Sequence, residues 1–400
     1  MNVSTLKSST IAEKTSLQRA FDLCVRKTRS NIKRLADAPK AAPWAVDGNY
    51  FGHPEGFFEI GNWTSSFFTG MALIAWQETE DEYYLNQVLR LAPAYQEKAL
   101  ATLRGCADGG PRRIDMHHDA GFLYTLYSVA LYKLTGDKQH LGTGLAAAEA
   151  LYQRFNPKGG FIRAWGHLGT DEHENMAIID CLMNLPLFYW ATNESGDPKF
   201  RAAAVQQANT TLKHFLRPDG SVCHACRFDL KTGQLVGVDN YCGFSSDSYW
   251  ARGATWAIYG FALSYAYTRD EIYLAAALRL ARTFITRLDD EIVPLWDFRL
   301  PAEAPRIRDS SAGAIAVCGL QELERLGAAD QAISKTKQKL LEQLCSEKYL
   351  DFSEACSGVL RNAQANVFGR ATAGNVYASW GDYFLMEALA WELFQAERFW

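Results

Sequence analysis

The chain of 400 residues is 48% hydrophobic and 22% charged, the mix of a globular protein with ample apolar surface for a large core. Its 41 basic and 45 acidic side chains are interspersed and leave a net charge of −4, which excludes a basic nucleic-acid-binding tract; an acidic ligand would be held by a few local Arg or His residues. No stretch approaches the ~20 apolar residues of a membrane span, the opening segment 1–24 has no apolar run of the signal-peptide kind, and nine scattered cysteines suit free thiols in a reducing cytoplasm.

Along the chain, residues 1–40 predict an outer helix and lead-in, followed by six long apolar stretches. They are WTSSFFTGMALIAW (63–76), DAGFLYTLYSVALY (119–132), DCLMNLPLFYWA (180–191), WARGATWAIYGFALSYAY (250–267), DSSAGAIAVCGLQEL (309–323) and WGDYFLMEALAWEL (380–393). Their spacing of about 60 residues exceeds the ordinary solenoid repeat, and four are followed by amphipathic segments such as LAAALRLARTFITRL (274–288). A helix apolar all round is buried, whereas an amphipathic one keeps a wet face. Six buried helices alternating with outer ones predict an all-α (α/α)6 toroid, a six-hairpin barrel, formed by residues 1–400 as a single catalytic domain. Four hairpin corners share an acidic turn: ETEDEYYL (78–85), LTGDKQHL (134–141), ESGDPKF (194–200) and YTRDEIYL (267–274).

In a toroid the starts of the inner helices gather at one mouth, where helix N-termini favour anionic ligands. Thr64 and Ser65, Asp119, Asp180, Arg252, Asp309 with Ser310, and Asp382 open the six stretches. Each Asp, Ser or Thr alone reads as an N-cap. Together they form a polar ring in which Asp119 and Asp180, on neighbouring helices, are the candidate catalytic pair for acid/base work on a sugar. Asp180 lies between Ile179 and Cys181, and desolvation together with an anionic Asp119 would favour its protonated form. Trp250 and Trp256 offer stacking walls or core, and Arg252 a planar fork for a carboxylate. His118 and His224 are further polar candidates, each equally readable as structural. Trp63 opens the first stretch. Cys223 and Cys226 form a lone CxxC, a weak zinc signal without partners, so no metal is expected.

The runs GNWTSSFFTGM, HDAGF, IIDCLMNLPLFYWA, SDSYWARGATWAIYGFA, DSSAGAIAVCGL and WGDYFLMEAL, in this order over roughly residues 40–395, resemble the unsaturated glucuronyl hydrolases of glycoside hydrolase family 88. The resemblance implies an (α/α)6 barrel that hydrates the C4=C5 vinyl ether of an unsaturated uronic acid left by a polysaccharide lyase. It implies Asp180 as general acid/base, Asp119 as its essential partner, and His118, His224, Trp250, Arg252 and Trp256 around the unsaturated sugar. No cofactor is implied, and the expected partner is an unsaturated oligosaccharide, a glycosaminoglycan-derived disaccharide foremost, with neither nucleic acid nor membrane. The family's usual Gln eight residues before the first Trp of WARG is replaced by Cys242, which cannot reproduce an amide's donor and acceptor. An unsaturated rhamnogalacturonyl hydrolase and a sugar epimerase or isomerase on the same toroid are the alternatives.

Overall fold

The computed structural model describes residues 3–52, 63–107, 117–166, 168, 173–365 and 374–400, with the side chains of 3–15 and 104–107 excepted. Helix α1 (Val3–Asp37) lies outside and is followed by the short strand β1 (Trp44–Ala45). The first inner helix, α2 (Ser65–Thr79), leads to outer α3 (Glu82–Leu89) and α4 (Ala92–Ala107). The second inner helix is interrupted: α5 (Ala120–Tyr124), a π turn (Thr125–Val129) and α6 (Ala130–Thr135), followed by outer α7 (Lys138–Tyr152). Short strands β2 (Phe155–Asn156), β3 (Phe161–Ile162) and β4 (Met176–Ile178) come next, then a 3-10 turn (Ile179–Met183) and inner α8 (Leu185–Ser195). After outer α9 (Pro198–His214) come β5 (Ala225–Phe228), β6 (Leu235–Asp239), inner α10 (Ala251–Thr268) and outer α11 (Glu271–Ile285). Inner α12 (Ser310–Arg325), outer α13 (Gln331–Leu344), β7 (Tyr377–Ala378) and inner α14 (Ser379–Phe394) complete the order.

The inner helices pack in sequence and α14 packs back on α2, closing a ring, while α1 covers both of them from outside. Among the described residues this is the six-hairpin (α/α)6 toroid that the apolar periodicity predicts. Burial follows the sequence pattern. In α10 every residue from Ala251 to Ser264 is buried, whereas outer α13 buries only the stripe Ile333, Thr336, Lys337, Leu340, Leu341 and Leu344. Each fully buried Leu or Phe of the inner ring contributes roughly 1.5–3 kcal/mol.

The acidic corners are a repeated turn with a definite cause. Inner helices end on a left-handed residue, Glu80, Gly136, Gly196 or Arg269, and the next residue, Asp81, Asp137, Asp197 or Asp270, caps the outer helix by accepting a backbone N–H two residues on. The hydroxyl two residues before each Asp accepts that Asp's own N–H and donates back to the carbonyl four residues earlier, as Thr135 does to Leu131.

The periodicity shows no sign of the strands. β1 pairs antiparallel with β7, β2 with β3, and β4–β5–β6 form an antiparallel sheet in the register Ile178↔Ala225 and Cys226↔Val238. They lie between helices on the long connections, and they aim the side chains of the mouth. At the opposite end of the ring a cavity of about 600 Å³ is bordered by Arg325 and Arg398, both paired with Glu322.

Candidate active site

Asp180 and His224 are brought together by the three-stranded sheet. β4 runs directly into the 3-10 turn that carries Asp180, so this residue sits one turn before the α-helix proper, whose N-cap is Asn184. His224 immediately precedes β5, and its carbonyl accepts the N–H of Ile179 at 2.9 Å. The His224 Nδ1 accepts the backbone N–H of Tyr241 at 2.9 Å, which assigns the ring proton of the neutral imidazole to Nε2. That Nε2 faces Asp180 Oδ2 across 3.8 Å. Both atoms are buried and without a hydrogen-bond partner among the described residues. Burial, reinforced by the positive charge of Arg252, pushes His224 down to about 3, so the imidazole is neutral throughout the physiological range.

The second carboxyl belongs to Asp119, at the N-cap position of α5, where its side chain makes no capping bond. Asn184 performs that task from the neighbouring helix start: its Oδ1 accepts the Phe122 N–H at 2.9 Å. The approach is close enough that a Cβ on Gly121 would fall 2.3 Å from the Asn184 Cα, so only glycine fits there. Burial pushes Asp119 up to about 8, with the charge of Asp180 adding to the rise and Arg154 opposing it. Burial pushes Asp180 up to about 6, with Arg252 opposing. Both acids therefore hold protons far above the ordinary carboxylate range. Each carboxylate keeps a side-chain exposure of 16%, enough to meet a ligand.

His118 is wholly buried, anchored by its N–H to the Ala164 carbonyl at 3.0 Å. Its Nε2 lies 3.3 Å from Asp119 Oδ1, off hydrogen-bonding geometry, and burial keeps it neutral. Arg252 has a carboxylate partner inside the chain: Nη1 meets Asp309 Oδ2 at 2.6 Å and the Gln364 carbonyl at 2.7 Å. Its guanidinium lies between the rings of Trp250 (4.7 Å) and Trp380 (5.1 Å). Gly253 permits this, since a Cβ there would meet the Trp250 ring at 2.7 Å. Trp250 also stands edge-on to His224, with ring centroids 5.0 Å apart. Trp256 is fully buried beneath Phe122 (5.3 Å) and belongs to the floor rather than the walls. Trp63 stacks on Trp380 at 5.0 Å and reaches Phe122 at 5.7 Å. The Cys242 thiol is half-buried and pushed up to about 12 by burial and by the charge of Asp180, so it faces the acids as a neutral thiol.

Two of the polar helix starts have structural tasks. Asp309 caps α12 through the N–H groups of Ser311 and Ala312. Asp382 accepts the N–H groups of Val359 and Leu360 and the hydroxyl of Tyr50. Two residues of the site escaped the sequence reading. Asn184 is hidden inside an apolar run. Trp165 stands 6.3 Å from His224 and 5.2 Å from Tyr241 on the connection between β3 and β4, away from any helix start. Cys223 and Cys226 bring their sulfurs to 3.7 Å on either side of His224, and no group of three metal-ligating side chains forms among the described residues. Residues 61 and 62 of the GNWTSSFFTGM run and Met116 beside His117 lie outside the described residues.

Two buried acids at adjacent helix starts, a neutral imidazole and a wall of indoles suit proton transfer to a sugar ring. The Glycosyl Hydrolase Family 88 model matches residues 38–351. An unsaturated glucuronyl hydrolase of Bacillus sp. (strain GL1) is 35% identical over 381 residues, covering 93% of this chain and 95% of that protein. An unsaturated chondroitin disaccharide hydrolase of Streptococcus agalactiae serotype III (strain NEM316) is 36% identical over 346 residues, 83% of each chain. The crystal structure of the unsaturated glucuronyl hydrolase of Bacillus sp. GL1, responsible for the degradation of glycosaminoglycan, superposes with a TM-score of 0.82 at 30% identity, over 95% of this chain and 97% of the other. The chain belongs to glycosyl hydrolase family 88.

Proposed function

We propose that this glycoside hydrolase is an unsaturated glucuronyl hydrolase. It hydrates the C4=C5 double bond of the unsaturated uronic acid at the non-reducing end of lyase-generated oligosaccharides. The carrying observation is the pair of buried acids, Asp119 and Asp180, both with raised proton affinity, in a chain of this family. The relatives named for unsaturated glucuronyl and chondroitin disaccharide substrates support a glycosaminoglycan-derived disaccharide as the ligand.

Asp180 gives its proton to C4 while the ring oxygen stabilises the cation that develops at C5. The resulting Asp180 carboxylate takes a proton from water as the water oxygen bonds to C5, which regenerates the acid. The product is a hemiketal: one water has been consumed and one double bond lost. Opening of the hemiketal and of the hemiacetal it exposes at C1 releases the partner sugar and a 5-keto 4-deoxyuronate. The acid pair of the empty site keeps a proton well above the ordinary carboxylate range. The uronate carboxylate brings a further negative charge to the mouth, which raises the proton affinity of Asp180. His224 offers its Nε2–H beside the same carboxyl. Trp250, with Arg252 behind it, lines the sugar subsite together with Cys242 and Trp63, while the buried His118, beside Asp119, and Trp256 back it from within.

Residues 1–400 act as one catalytic domain in this reading. No described helix is long and apolar enough to cross a membrane. The described cysteines are free thiols, which supports a cytoplasmic location.

Incubation with unsaturated disaccharides from chondroitin, hyaluronan, heparin and pectin lyases tests the reading. Loss of the ultraviolet absorbance of the double bond with at least one glucuronyl substrate is expected. Persistence of the absorbance with all of them would overturn it, and loss with the pectin product alone would point to the rhamnogalacturonyl specificity.

A further inference from the structure

Asp119 occupies a position that ordinarily commits an aspartate to backbone duty. An Asp at an N-cap accepts the N–H of the second or third helical residue, as Asp309 does at α12. Asp119 makes no such bond. The N–H it would take, that of Phe122, is occupied by Asn184 Oδ1 at 2.9 Å. The amide nitrogen of the same Asn184 lies 3.5 Å from the Asp180 carbonyl, and the Asn184 side chain lowers the proton affinity of the neighbouring Asp119 carboxyl. Asn184 is wholly buried and is itself the N-cap residue of α8, yet its side chain does not cap its own helix. The bare Cα of Gly121 is what lets the two helix starts come this close.

We infer that Asn184 is a positioning residue that caps α5 in trans, and thereby keeps the Asp119 carboxyl off the backbone and turned toward Asp180 and the substrate. The inference rests on the hydrolase reading for its consequence in turnover, but not for its structural core. Without the Asn184 acceptor, the Phe122 N–H and the other N–H groups of its own helix start are open to the Asp119 carboxyl. Bonds from those groups favour the ionised carboxylate, and a carboxyl turned onto them is spent as a cap. The charged and titratable groups around Asp119 are Asp180, Arg154 and His118. None of these is altered by Asn184→Ala, so a shift in the titration of Asp119 in that variant reports the cap itself.

The test compares Asn184→Ala and Asn184→Asp with the wild-type enzyme by carboxyl carbon NMR titration of Asp119 and by steady-state kinetics on an unsaturated disaccharide. Asn184→Ala removes both the acceptor and the donor, and the Asp119 carboxyl then takes the freed Phe122 N–H, a bond that favours its ionised form. The Asp119 titration should move down by at least one pH unit, and kcat should fall at least 30-fold with KM within threefold. Asn184→Asp keeps an acceptor for Phe122, loses the donor and sets a second carboxyl beside Asp119, so the Asp119 titration should move up. An unshifted Asp119 in Asn184→Ala, or shifts of the same sign in both variants, would overturn the inference. Should Asn184→Ala not fold, a downward shift in Asn184→Asp alone does so. Because the titration needs no turnover, an enzyme inactive on every disaccharide would refute the hydrolase reading and leave this test standing.

Discussion

His224 Nε2 and Asp180 Oδ2 face each other across 3.8 Å, each buried and each without a hydrogen-bond partner among the described residues. The distance is too long for a hydrogen bond, and the tautomer is set from behind by the Tyr241 N–H. Two orphaned polar atoms at this separation form a slot that a ligand oxygen, or a small turn of the carboxyl, completes. His224→Phe keeps the aromatic bulk against Trp250 and deletes the donor. Its kcat should fall about 10- to 100-fold, the worth of a hydrogen bond to a charged group. His224 is neutral down to about pH 3, so the limbs of the remaining pH profile should keep their positions. A profile whose acid limb moved with this substitution would show that His224 titrates in catalysis.

The acid pair fixes the pH dependence. With Asp119 pushed up to about 8 and Asp180 to about 6, the pair carries one proton between those values, two below and none above. The singly protonated pair can give a proton to carbon and then act as base. A plot of kcat/KM against pH for the wild-type enzyme should therefore be a bell with limbs near 6 and 8. Asp180→Asn should abolish turnover while substrate binding, measured by calorimetry, persists. Asp119→Asn should lose most activity, and the remainder should fall as pH rises through about 6, because Asp180 alone then holds the proton given to C4. Wild-type rates in Asp180→Asn would remove the assignment.

These acids cost stability, and the cost depends on pH. Asp119 binds its proton more tightly in the folded chain than in the unfolded one, where the ordinary value is near 3.8. Its contribution is therefore most favourable below that value and is lost as pH rises toward 8, at about 1.4 kcal/mol per unit of pH while the two states differ by a full proton. Asp119→Asn removes the ionisation and should raise the melting temperature, by several degrees more at pH 8 than at pH 5. An equal effect at both values would mean that the carboxyl is not held in its protonated form.

Cys242 stands within the electrostatic reach of Asp180 and Arg252. Cys242→Gln restores an amide donor and acceptor there and should change the ratio of kcat/KM between chondroitin- and heparin-derived disaccharides about tenfold, the scale of one hydrogen bond in a site. An unchanged ratio would show that the position does not contact substrate.

The toroid was legible because burial leaves a direct mark on composition. The six inner helices are apolar on every face, and the Asp of each acidic corner caps the next helix. The two acids were legible because they open two of those stretches. What escaped has equally physical reasons. The strands that carry His224 toward Asp180 are three to five residues long, too short for an alternation to register. Asn184 is a single amide in an apolar run, and its capping partner, Phe122, lies 62 residues away in sequence. Trp165 sits on a connection with no periodicity. The engagement of Arg252 by Asp309 joins residues on two inner helices, a pairing that no local pattern encodes. The raised proton affinity of Asp180 was legible from its apolar neighbours, whereas the burial that raises Asp119 is a property of the assembled ring.

The central claim is that a proton is delivered to C4 of the unsaturated ring. Turnover of an unsaturated glucuronyl disaccharide in deuterium oxide, with the early product read by proton NMR and mass spectrometry, tests it most directly. The account predicts one deuterium on C4 and loss of the double bond in step with release of the partner sugar. Release of the partner sugar with the C4=C5 double bond intact and no deuterium on C4 would contradict it.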